Sequence, residues 1–147
     1  MESVELKYAL ASPLAKELEA KVLTEAQFHA GEDARGTIVV LEPETDLRGE
    51  HLAALVARDA VGFVSDFVDD PFAAPDAIPP LTVGPAFARL VAIAVSPRAG
   101  MRLRTLAGTG NLRVRLAAGV AAGVFAELDG PCTVEYFDVY GQASGTA

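Results

Sequence analysis

Arg35-Gly-Thr-Ile-Val-Val-Leu41, followed after a polar stretch by Val61-Gly-Phe-Val-Ser-Asp66, decides the fold of this chain. Thr37 to Leu41 reads as a buried strand that leaves the turn Gly31-Glu-Asp-Ala-Arg-Gly36. Between the two apolar runs, Leu47 to Ala60 has helical period, with Leu52, Leu55 and Val56 on an inner stripe and Glu50, Arg58 and Asp59 facing out. Asp46 stands where an N-cap is wanted. Phe63 to Phe67 is then the next strand. Strand, helix and strand within about 30 residues make a βαβ unit, so the two strands are expected to be parallel neighbours.

The pattern repeats downstream. Asp69 to Pro85 holds Pro71, Pro75, Pro79, Pro80 and Pro85 and cannot be regular throughout. Leu90 to Val95 is a second buried strand. Ser96 then caps a helix and Pro97 takes its first position, where a missing N–H costs nothing. Leu103, Leu106 and Ala107 supply the inner face of that helix, and Gly108 or Gly110 ends it. Upstream, Val4 to Leu10 alternates as a strand. Ala15 to Leu23 has helical composition but strand alternation and is read as strand. After Asn111 only strands are expected: Leu112 to Leu116, Val120 to Phe125 and Thr133 to Tyr140, with Asp129-Gly130 turning between the last two. The expected fold is therefore a β-rich α/β domain. Central βαβ units carry flanking antiparallel strands, and two helices pack outside. Residues 1–140 would form one domain, and 141–147, rich in Gly, Ser and Ala, a linker or tail.

Composition narrows the function. The 147 residues suit a single domain that removes roughly 70% of its unfolded surface from water. A formal net charge of -8 disfavours nucleic acid, whose phosphates such a surface repels. The apolar runs are far too short for a membrane span. The acidic start Met1-Glu2-Ser3-Val4-Glu5 is wrong for a signal peptide, so the chain is either cytoplasmic or a piece of a longer protein, whose parent could still be secreted. The compartment is left open. Cys132 is the sole cysteine, which excludes an internal disulfide and a two-cysteine redox or zinc site; with no histidine near it in sequence, it reads as structural.

The motifs carry little chemistry. His29 and His51 have no partners at metal or triad spacing and read as surface or capping residues. Asp66, Asp69, Asp70 and Asp76 surround the Pro-rich loop without calcium-loop spacing. Gly108 and Gly110 follow a helix rather than a strand, so they are helix stops and not a phosphate cradle; the Gly119/Gly123 pair likewise makes no nucleotide motif. Arg89, Arg98, Arg102, Arg104, Arg113 and Arg115 fall in a stretch with no acid. The simpler reading makes Arg98 and Arg102 the solvent side of a helix, and Arg113 and Arg115 the solvent side of a strand. The sharper reading makes these four a docking face for an acidic partner. No catalytic, cofactor-binding or metal-binding residue is assigned.

The order of these segments resembles the protease-associated (PA) domain, especially as inserted in bacterial zinc-dependent aminopeptidases. That family opens on a Gly-Lys-Ile-Val-Leu strand, here Gly36-Thr-Ile-Val-Val-Leu41 with the Lys replaced. Its Ala-x-x-x-Gly-Ala-x-Gly-x-Ile segment reads Ala57-Arg-Asp-Ala60-Val-Gly62-Phe-Val-Ser65, with Gly-Ala reduced to Asp59-Ala60. An Ile-Pro-like strand follows its proline-bearing loop, here Ile78-Pro79 or the later Val91 to Val95. Its Ser-x-x-x-Gly-x-x-Leu helix is Ser96-Pro-Arg-Ala-Gly100-Met-Arg-Leu103, and its final Gly-x-Val-x-Val-like strand is Gly110-Asn-Leu-Arg-Val-Arg-Leu116. The resemblance implies a non-catalytic accessory domain beside a peptidase catalytic domain of the same parent chain, shaping substrate access or binding protein or peptide. The zinc ligands of such peptidases belong to the catalytic domain, and no segment here matches them. Two other readings stay open. One is a stand-alone α/β ligand-binding protein or enzyme, with a pocket at the carboxyl ends of the central strands near Asp66 and Ser96. The other is an oligomerisation module using exposed strand edges.

Overall fold

The computed structural model describes residues 2–6, 8–10, 16–43, 49–68, 74–79, 81, 83–110, 112–116, 124–128, 135–137 and 143–146. Asp46, Asp69, Asp70, Gly119, Gly123, Asp129, Gly130 and Cys132, each given a reading above, lie outside them. In chain order the elements are β1 (Glu2–Leu6), β2 (Ala9–Leu10), β3 (Leu18–Thr24), α1 (Glu25–His29), β4 (Ile38–Val40), α2 (Gly49–Ala57) and β5 (Gly62–Ser65). A 3-10 turn (Pro85–Phe87) precedes β6 (Val91–Ala94), α3 (Pro97–Ala107), β7 (Arg113–Leu116), β8 (Val124–Leu128), β9 (Glu135–Phe137) and β10 (Ala143–Thr146). The fold is α/β. Eight strands form one sheet in the order β1-β8-β7-β3-β4-β5-β6-β2, and β9 pairs separately with β10. Ala143–Thr146, inside the stretch expected to be a linker or tail, is thus part of a strand pair.

Strand β3 joins the two halves of the sheet. Its first half, Leu18 to Lys21, pairs antiparallel with β7, while Val22 to Thr24 pair parallel with β4. Its burial changes at the same point. Glu19 is exposed and Lys21 half-buried beside a buried Ala20, whereas Val22, Leu23 and Thr24 are all buried. Alternation in the first half is the one-sided pattern of an antiparallel strand, and the continuous apolar run after it is the two-sided pattern of a parallel one. The strand period in the sequence is thus borne out, and the helical composition is overridden by pairing on both sides.

Strands β3, β4, β5 and β6 are mutually parallel, with Ile38 opposite Gly62 and Phe63 opposite Ala92. Successive residues on them alternate between two cores. Val22, Ile38, Val40, Val64 and Ile93 pack with Leu103, Leu106 and Ala107 of α3. Leu23, Val39, Phe63 and Ala92 pack with Phe28 of α1 and Leu52 and Leu55 of α2. Gly62 lies so close to β6 that a Cβ there would stand 2.4 Å from the Val91 carbonyl oxygen, which explains a glycine inside this strand.

Two expectations change. Val4 to Leu10 is not one strand: β1 pairs with β8 at one edge of the sheet, and β2 pairs with β6 at the opposite edge. Only two residues separate β1 from β2, a reach of at most about 11 Å, so the sheet curls until its two edge strands come close and the chain steps from one to the other. The outer helices number three among the described residues rather than two, because α1 was missed. At five residues it is too short to show a helical period or to be stable alone. A capping box holds it: Thr24 Oγ1 accepts from the Gln27 N–H at 3.1 Å, and the Thr24 N–H donates to Gln27 Oε1 at 2.9 Å.

The carboxyl end of α2 is closed by a residue in the left-handed region, Asp59, at φ 61°. The Ala60 N–H donates to the Leu55 carbonyl and the Asp59 N–H to that of Val56, each at 3.1 Å, which is a Schellman cap with Asp59 where glycine is favoured. Asp59→Gly is therefore expected to raise stability by up to about 1 kcal/mol. The check is a higher urea midpoint at unchanged m-value; a lower midpoint would mean that the Asp59 side chain contributes more than its backbone strain costs.

Candidate functional site

Helix α3 crosses the carboxyl ends of the parallel strands like a bar. Ser96 caps it, its Oγ accepting from the Ala99 N–H at 3.1 Å, and Pro97 follows. Gly100 then passes β5 so closely that a Cβ there would lie 2.2 Å from Asp66 Oδ2. One turn on, Arg104 donates from Nη1 to Asp66 Oδ1 and from Nη2 to Asp66 Oδ2, both at 2.9 Å, and from Nη1 to the Leu41 carbonyl at 3.1 Å. At the end of the helix, the Ala107 carbonyl accepts from Gln27 Nε2 at 3.1 Å. The helix is thus tied to β5, then β4, then α1.

Asp66 and Ser96, the residues expected near a pocket at this edge, are brought together, but both are buried, at 3% and 2% exposure. Their polar groups serve α3: Ser96 caps it, and Asp66 meets a bidentate guanidinium, the strongest geometry such a pair adopts. The Asp66 side chain is 1% exposed and that of Arg104 15%. Burying a carboxylate this deeply is tolerable only with its partner in place.

The four arginines expected as one docking face divide between two surfaces. Arg98 and Arg102 belong to α3, and Arg98 pairs with Asp76 at 3.1 Å. On β7, Val114 and Leu116 point into the core that α3 covers, so Arg113 and Arg115 project from the opposite face of the sheet. There Arg113 meets Glu19 at 3.5 Å and Arg115 meets Glu17 at 3.7 Å across the strand pair. These are diagonal pairs between neighbouring strands, Glu19 itself standing opposite Arg115. Asp66 and Asp76, expected in one acidic loop, face different arginines.

The other side of the sheet carries a recess that the sequence did not reveal. Phe28, Val39, Leu41, Ala54 and Leu55 line a cavity of about 190 Å³, and Glu25, His29, Glu50 and His51 complete its wall. Both histidines of the chain, 22 positions apart, meet here because α1 and α2 lie side by side on this face. Two contacts set the wall. The Arg58 guanidinium stacks 3.9 Å from the Phe28 ring centroid and donates to the carbonyls of Phe28 and Glu32, although helical period had placed Arg58 outward. Glu25 Oε2 accepts from the Glu42 N–H at 3.2 Å, pinning the segment that follows β4. The ring of His29 stands edge-on to Phe28, with centroids 5.6 Å apart. Among the described residues no three His, Cys, Asp or Glu side chains are grouped to hold a metal ion, and no helix is long and apolar enough to cross a membrane. A longer, more open cleft of about 430 Å³ lies at the amino ends of the strands, among Lys16, Glu17, Asp59 and Arg89.

No family model matches the sequence, and no curated protein matches it. Among solved structures, the fold is similar to part of an aminopeptidase from Aneurinibacillus sp. strain AM-1, with a TM-score of 0.53 and 12% identity. The match covers 84% of this chain and 34% of that one, so this chain spans about a third of the aminopeptidase. At this identity the likeness is one of fold.

The Asp66–Arg104 tie makes a stability prediction. Asp66→Ala should cost about 3–5 kcal/mol, because it leaves Arg104 without a counter-charge in a mostly buried place. The double variant Asp66→Leu/Arg104→Met should recover most of that loss. Urea melts of the single and double variants check this; a double variant no more stable than Asp66→Ala would mean that the pair contributes more than mutual neutralisation.

Proposed function

We propose that this chain is a non-catalytic accessory domain of the protease-associated type, belonging to a peptidase-like protein and engaging protein or peptide segments. The observation that carries this reading is the fold likeness, which takes in most of this chain but only a third of an aminopeptidase. That is the proportion expected of a domain set beside a larger catalytic unit. Two local features agree with the family pattern. The glycine of the Ser-x-x-x-Gly helix is sterically required, since only Gly100 lets α3 approach Asp66. The family's Gly before Gly62 falls on the left-handed position that Asp59 occupies. The reading also accounts for the carboxyl edge, where buried polar groups anchor a helix instead of facing a substrate.

The partner is then a peptidase catalytic domain in the same parent chain, or a polypeptide substrate held near it. Purified chain assayed on aminoacyl p-nitroanilides, with and without added zinc, is expected to give the rate of the buffer blank. Turnover that co-purifies with the chain through successive columns would overturn the non-catalytic assignment.

A further inference from the structure

We infer that the recess between α1 and α2 is a binding site for a polypeptide segment that presents a Leu- or Phe-sized side chain next to a Lys or Arg. The inference rests on the reading of the chain as a polypeptide-binding accessory domain and names the surface and the chemistry it would use.

Size and lining argue for the anchor. Protein interiors leave few voids larger than a water molecule. An apolar cavity of about 150 Å³ is already large enough to admit benzene. This recess measures about 190 Å³ and has Phe28, Val39, Leu41, Ala54 and Leu55 as its walls. Four of these five, all but Ala54, are buried core residues, so the walls are fixed by the fold. The short helix that forms one side is held by the Thr24 capping box, by Gln27 on the Ala107 carbonyl and by Arg58 on Phe28. A site built on such tied elements is ready for a ligand without reorganising.

Charge argues for the neighbour of the anchor. The carboxylates of Glu25 and Glu50 belong to the same wall, and the chain as a whole carries -8. A cationic segment is attracted to such a surface and an acidic one repelled. The imidazole of His29, on the same wall, adds a donor and an acceptor suited to the N–H and C=O groups of an extended peptide. An apolar well with a few polar groups converging on it is the general form of a ligand site.

The test uses three acetylated and amidated tetrapeptides, Lys-Leu-Lys-Gly, Lys-Ala-Lys-Gly and Glu-Leu-Glu-Gly, titrated into the full chain and followed by the ring resonances of His29 and His51. The Leu peptide with lysines should shift both rings. Its Ala counterpart should bind about tenfold more weakly or less, for want of a buried leucine side chain. The acidic peptide should bind more weakly than the basic one, with the difference shrinking as salt is added. Ala54→Phe, which fills the recess, should abolish the shifts. Glu50→Gln, an exposed change that leaves the fold intact, should weaken the basic peptide by about two- to fivefold. The inference is overturned if the basic Leu peptide does not bind, if it binds Ala54→Phe unchanged, or if the acidic peptide binds as well. Binding that survives Ala54→Phe would refute this site while leaving the accessory-domain reading standing. Turnover by the chain itself, in contrast, refutes that reading while leaving the recess as a binding site.

Discussion

Among the described residues, the buried ion pair of Asp66 and Arg104 is what fixes helix α3 on the sheet. Asp66 ends β5 and Arg104 lies in the third turn of α3, and their bidentate contact fixes the helix across the carboxyl edge of the sheet. In an open parallel sheet that edge is where ligands usually bind. Here Gly100 gives up its side chain so that the helix can reach the carboxylate, and Arg104 goes on to satisfy the Leu41 carbonyl. The edge is closed by its own polar groups.

The sheet is asymmetric about β3. On the parallel side both faces are covered, by α3 on one and by α1 and α2 on the other. On the antiparallel side the face away from α3 shows Glu17, Glu19, Arg113 and Arg115, joined in cross-strand pairs. Pairs this exposed contribute little to stability, but they keep an open sheet face polar and discourage its stacking on another sheet. Four of the six arginines in the stretch without acids, Arg98, Arg104, Arg113 and Arg115, meet acids that lie elsewhere along the chain, on Asp76, Asp66, Glu19 and Glu17.

Much of the fold was legible. The βαβ unit from Gly36 to Ser65, the parallel pairing of β4 and β5, and the Ser96–Pro97 start of α3 all follow from local patterns: buried runs, helical stripe, cap and N1 proline. Helix α1 was not legible, because five residues carry no period and its cap works only once β3 delivers Thr24 in extended form. The division of β1 from β2 was not legible either, since alternation names a strand but not its partner. Of the site, Phe28, Val39, Leu41 and Leu55 were recognisable as apolar, yet nothing in their spacing with His29 and His51 marks a shared recess.

By itself, the sequence determined the types of most elements and the α/β class, because period, capping and turn chemistry act over a few residues. Tertiary structure alone decided which residues meet. It sent β1 and β2 to opposite edges, split four arginines between two faces, buried Asp66 and Ser96 under α3, and brought two unrelated histidines to one apolar well. Those outcomes are set by which strand lies beside which, and pairing between segments tens of residues apart leaves no periodic trace in either one.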